Sequence, residues 1–142
     1  LETVRNSNKL TLETFSFEPN SWRSYQKLSG VGMTLKPDDY LELINHEYED
    51  HYFIELDRST ESLARIVNTC KKYIEYYRSG IEQRQHGVFP FVLWIVPDDK
   101  RKLAISKAIQ TELYNFWELF TVITLDDYQN YIKGGLNDER KE

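Results

Sequence analysis

The chain has 142 residues, of which 40% are hydrophobic and 14% aromatic, a composition that suits one globular domain with a sizeable core and excludes a disordered or fibrous protein. Its net charge of -5 argues against broad phosphate neutralisation, so any grip on nucleic acid has to come from a local basic strip. The single cysteine, Cys70, excludes an internal disulfide and a cysteine zinc cluster and fits a reducing cytoplasm, while no apolar run is long enough for a membrane span and the start shows no secretory signal.

Residues 1–8 are too short to classify. Leu10 and Leu12, then Phe15 and Phe17, are apolar with a change of phase between the pairs, the pattern of a bulged strand. Residues 18–32 carry Pro19, Asn20, Ser21, Ser24, Ser29, Gly30 and Gly32 and read as a connection, with room for a helical turn over 22–28. Met33 is the only methionine, so the chain lacks an initiator and is expected to be a fragment of a longer polypeptide. Residues 40–44 and 52–57 alternate in hydrophobicity and predict two strands, joined by a hairpin loop over 45–50.

After Asp57 the period lengthens to that of a helix. Ser59 is the expected N-cap, Glu61 falls in the first turn, and Leu63, Ile66, Val67, Cys70, Tyr73, Ile74 and Tyr77 form a stripe that ends at Gly80. Cys70 lies inside that stripe, which favours packing over nucleophilic use. Residues 81–87 read as a polar loop containing His86. Residues 88–96, VFPFVLWIV, form a continuous apolar run expected of a central strand, with Pro90 near its beginning. Pro97, Asp98 and Asp99 end that strand and cap a helix over 100–116; residues 119–125 predict a further strand, which Asp126 and Asp127 stop. The domain is thus expected over 1–133, followed by a charged, mobile tail over 134–142.

Strands linked by helices in this order predict an α/β fold, a mixed central sheet flanked by helices. Nucleotide-loop, zinc-protease and nucleophile-elbow motifs are absent from the sequence, and His46, His51 and His86 lack ligand spacing and are expected at the surface. The distinctive feature is acidic. Glu55 and Asp57 are two apart on one strand and share a face, and an antiparallel partner starting near Asp38 brings a third carboxylate to the same corner. Such hard oxygen donors suit Mg²⁺ or Mn²⁺. The same acids also have structural uses, Asp38 and Asp39 in a turn before a strand and Asp57 as a cap.

Pro37-Asp38-Asp39, the run Phe53 to Glu61 with its ELDR-T-E core, Tyr73, Tyr76 to Gly80, Phe89-Pro90 leading VLWIVP, and Leu125-Asp126-Asp127 together resemble the replication-relaxation family of bacterial plasmids and mobile elements. The resemblance, taken to run from Trp22 onward, implies a domain involved in replication or DNA relaxation. It also implies an upstream winged-helix segment, outside this chain, that makes most of the DNA contact, and replication or relaxase proteins as partners. The strand arrangement, with an Asp on one strand and a Glu on the next, further resembles the restriction-endonuclease-like PD-(D/E)xK fold. That resemblance implies a metal held by Asp38 and Glu55 and a water-activating lysine two residues after the glutamate, where this chain has Asp57. Of the nearby lysines, Lys72 is expected to face solvent, opposite the apolar stripe, and Lys71 to flank it. The alternative implied by the missing lysine is an inactive nuclease-like scaffold for protein contact.

Overall fold

The computed structural model describes residues 11–17, 20–44 and 49–130, the first stretch as backbone. Its main sheet has five strands in the spatial order β1 (Thr11–Phe17), β4 (Asp39–Ile44), β5 (Glu49–Leu56), β6 (Phe91–Val96), β7 (Phe120–Thr124). The first three form an antiparallel meander, and β5, β6 and β7 run parallel to one another. The expected phase change in the first strand is present as a register shift between Leu12 and Thr14. Parallel neighbours require crossovers, which α1 (Leu63–Ser79) and α3 (Asp99–Glu112) supply. The fold is therefore a mixed α/β sheet flanked by helices, as the strand and helix order implied.

Both crossover helices pack on one face of the sheet. Ile66, Val67, Cys70, Tyr73 and Ile74 of α1 and Ile105 and Ile109 of α3 enclose Phe53, Val92, Trp94, Val96 and Phe120 from the strands. Alternation sends Leu41, Leu43, Tyr52, Ile54, Leu93 and Ile95 to the opposite face, where Ile123 and Tyr128 join them. The run of five buried residues from Val92 to Val96 has this cause: β6 is an interior strand, between β5 and β7, and is covered on both faces, although the middle strand of the sheet is β5. Pro90 precedes the strand, where its missing N–H costs no ladder bond.

Several boundaries differ from the sequence expectation. The serine at the start of α1 is Ser62, whose hydroxyl accepts the Arg65 N–H at 3.2 Å; Ser59 instead turns the corner with a positive φ of 61°. Gly80, at φ 72°, ends α1 in the left-handed conformation as expected, with its N–H donating to the Tyr77 carbonyl. Asp98 caps α3 as expected, accepting from Arg101 N at 2.8 Å, but the helix stops at Glu112. Asp126 and Asp127 do more than stop β7. They form the first turn of α4 (Leu125–Asn130), where the Thr124 hydroxyl accepts the Asp127 N–H. The expected hairpin loop over 45–50 gives way at Glu49, where β5 begins; residues 45–48, like His46 among them and the tail 134–142, lie outside the described residues.

Two larger corrections share one cause. The segment 18–32 contains β2 (Arg23–Gln26), which pairs with β3 (Gly32–Leu35) as a second, two-stranded sheet, in place of a helical turn. Residues 81–86, expected as loop, form the short helix α2 (Ile81–His86). The two elements are joined through polar groups: Glu82, fully buried, accepts from Arg23 Nε at 2.9 Å and from Tyr76 Oη at 2.7 Å. The Arg23 guanidinium lies 4.9 Å above the Tyr40 ring and 5.4 Å from that of Phe53. An inward-facing arginine and glutamate leave no apolar periodicity to read. His51 corrects the surface expectation in the same way. It is buried on β5 opposite Glu42, with Nδ1 3.0 Å from the Glu42 carboxylate and 2.9 Å from Tyr40 Oη, and Nε2 against Glu49.

Candidate functional site

The acidic corner forms where the antiparallel pair β4 and β5 brings the start of one strand beside the end of the other. Asp38 sits one residue before β4. Its N–H donates to the Ile54 carbonyl at 3.0 Å, and its Oδ2 accepts the Leu56 N–H at 2.8 Å, so this carboxylate closes the ladder at the end of β5. That is the strand-end use expected of an aspartate here, and it also fixes Asp38 beside Glu55.

Glu55 points to the α1 face and accepts a hydrogen bond from the Tyr73 hydroxyl. Burial first, then the negative charges of Glu55 and Asp38, push the Tyr73 phenol well above its ordinary range. Tyr73 therefore keeps its proton and acts as a donor, which is unsuited to nucleophilic attack. Cys70, one turn earlier on α1, is likewise pushed up to about 12 by burial, in agreement with its packing role.

Asp57 goes elsewhere. It lies just past β5, where its N–H extends the pairing to the Ile95 carbonyl, and its buried carboxylate accepts from Arg101 Nε at 2.7 Å and Nη2 at 3.0 Å. Arg101 Nη2 also donates to the Glu61 carbonyl at 2.7 Å, and Asp57 Oδ1 accepts the Ser59 N–H at 3.2 Å. The pair thus ties the β5–α1 corner to the first turn of α3. Asp57 caps no helix, since Ser62 is the cap of α1 and the Ser59 N–H lies before it; the arginine partner, 44 positions away, was not foreseeable from the sequence.

The arrangement limits what a metal could use. Among the described residues no group of three or more His, Cys, Asp or Glu side chains is placed to hold a metal ion, and the bidentate contact with Arg101 occupies Asp57. Asp38 and Glu55 are the pair left at the corner, a donor number compatible with Mg²⁺, which commonly takes one or two carboxylates and keeps several waters.

Beside Glu55 opens a polar cavity of about 420 Å³ lined by Thr34, Leu35, Lys36, Glu55, Thr69, Lys72 and Tyr73. Lys72 is exposed, as the helix wheel implied, yet the solvent it faces is this cavity. Lys71 instead lines a second groove, of about 660 Å³, between α1 and α3.

A mixed α/β domain with carboxylates at the adjoining ends of two antiparallel strands is the class defined by this fold and corner. The sequence profile of the replication-relaxation family matches residues 2–92, well over half of the chain, and the chain belongs to that family. Membership supports a role in the replication or relaxation of mobile elements. The matched stretch covers the meander, the β2–β3 hairpin, α1 and α2, so it contains the whole acidic corner except Arg101; Leu125, Asp126 and Asp127 lie beyond it. Neither a curated protein nor a solved structure matched the chain. Among the described residues no helix is long and apolar enough to cross a membrane.

Proposed function

We propose that this domain serves a DNA replication or relaxation protein of a mobile element through its acidic corner, with Asp38 and Glu55 holding one divalent cation, Mg²⁺ or Mn²⁺, beside bound DNA. The observation that carries this reading is the strand pairing that sets Asp38, bonded to the Leu56 N–H, next to Glu55, which accepts from the Tyr73 hydroxyl at the edge of a polar cavity that two lysines line. A cation there would supply Lewis acidity toward a phosphodiester. Tyr73 orients Glu55, and Lys72 and Lys36, which line the same cavity, are the candidates to take the part of the lysine missing two places after Glu55.

The pairing of Asp57 with Arg101 favours a second reading, in which the domain is a nuclease-like scaffold that contacts replication or relaxase proteins and does not cut DNA. One experiment separates the two: melting of the wild type and of Glu55→Gln in a series of Mg²⁺ or Mn²⁺ concentrations, paired with plasmid nicking. Binding linkage corresponds to about 1 to 3 kcal/mol of stabilisation at metal concentrations several- to a hundredfold above the dissociation constant. A shift abolished in Glu55→Gln, together with nicking, supports the metal site. A shift without nicking supports an inactive corner used as a scaffold, and no shift at millimolar metal removes the metal site altogether.

A further inference from the structure

We infer that the cavity between β3 and α1 binds the phosphodiester backbone of a single DNA strand through Lys36 and Lys72, delivering it to the Asp38 and Glu55 corner. The proposal deepens the function proposed above and rests on it for the nature of the ligand. Its own support is the charge and shape of the cavity. Lys36 comes from the end of the β2–β3 hairpin and Lys72 from α1, two elements far apart in sequence whose packing faces both side chains onto one space. Among the described residues neither lysine makes an ion pair, although acidic residues outnumber basic ones in this chain by 23 to 18. The Lys36 ammonium lies 4.8 Å above the Trp22 ring, a contact that holds it in place without neutralising it.

The cavity's negative group, Glu55, already receives the Tyr73 proton donor, and Thr34 and Thr69 line the same walls, their hydroxyls bonded to Ser24 Oγ and to the Arg65 carbonyl. Two ammonium groups lining one space are suited to a phosphate diester, for which lysine serves as a point charge. A space of about 420 Å³ is on the scale of a single nucleotide, which favours a flexible strand as the occupant. The net charge of -5 disfavours broad phosphate contact over the surface, so a local pair of lysines is the kind of site strand binding would need.

The test measures binding of a fluorescent single-stranded oligonucleotide to the 142-residue chain by anisotropy, across a salt series and with a chelator present. Lys36→Ala and Lys72→Ala should each weaken binding roughly three- to tenfold and lower the slope of log affinity against log salt by about 0.7, the loss of one phosphate contact on a single strand. Lys72→Arg should retain most of the affinity, and Lys107→Ala, in the α1–α3 groove, should change neither quantity. Melting temperatures report that each variant is folded.

Absence of strand binding by the unaltered chain would overturn the proposal. So would lysine variants that bind as the wild type does, or an equal loss in Lys107→Ala. A duplex bound as tightly as the strand, with the same sensitivity to both lysines, would overturn the assignment to single strands. Because no metal is present, these outcomes are independent of the melting experiment on Glu55→Gln, so failure of one reading is distinguishable from failure of the other.

Discussion

Arg101 grips Asp57 with two nitrogens, Nε at 2.7 Å and Nη2 at 3.0 Å, and so removes from the acidic corner the residue two places after Glu55. Both side chains are substantially shielded, that of Asp57 fully. Lysine at position 57 would complete the nuclease-like spacing on paper, but it would set an ammonium against the guanidinium of Arg101 in a buried site. Breaking one partner of such a pair costs about 3 to 5 kcal/mol. Asp57→Lys is therefore expected to lose that much stability in urea unfolding and to gain no nicking activity. A folded Asp57→Lys variant that nicks plasmid would show that the pair is dispensable and the position catalytic.

Arg23 and Glu82 make the corresponding connection for the β2–β3 hairpin. Arg23→Met leaves the Glu82 carboxylate buried with the Tyr76 hydroxyl as its hydrogen-bond donor and His86 Nε2 no nearer than 3.9 Å, and about 3 to 5 kcal/mol of destabilisation is expected. The double replacement Arg23→Met with Glu82→Met should recover most of the loss, because the uncompensated charge is then gone and apolar volume fills the site. Amide hydrogen exchange should show β2 and β3 opening in the single variant ahead of the main sheet. Equal destabilisation in the single and double variants would mean that packing, and not the buried charge, dominates here.

Alkaline pH should destabilise the fold over a defined window. Burial raises the Tyr25 phenol from 10.0 to about 12, with Glu75 adding to the effect, and raises the Cys70 thiol from 9.0 to about 12; burial also raises Tyr40 and Tyr76. A group whose folded pKa exceeds its unfolded value contributes stability that is fully present below the unfolded pKa and is lost as pH rises through the folded one. The unfolded chain releases protons that the native state retains. Unfolding free energy measured in denaturant should thus be level below pH 9 and fall between pH 9 and 12, and in Cys70→Ala the fall should begin nearer 10. A flat profile through that window would contradict the protonated, buried state of these groups.

Hydrophobic periodicity alone determined the strands of the main sheet, α1 and the burial of β6 on both faces, because apolar burial has a period that the chain must display in its residues; the middle place in the sheet belongs to β5. The change of phase near Leu12 was legible for the same reason, and so were Gly80 and Asp98, whose conformational and capping roles are local. Elements held by polar contacts were not legible. The β2–β3 hairpin and α2 face inward with Arg23 and Glu82, separated by 59 positions, and no local pattern reports a partner at that distance. The acidic corner divides along the same line. Strand pairing placed Asp38 near Glu55, since register follows from the alternating face. Only the packing of α3 decided that Asp57 belongs to Arg101, and only the packing of α1 against the hairpin brought Lys36 and Lys72 to one cavity, because long charged side chains find their partners through tertiary geometry.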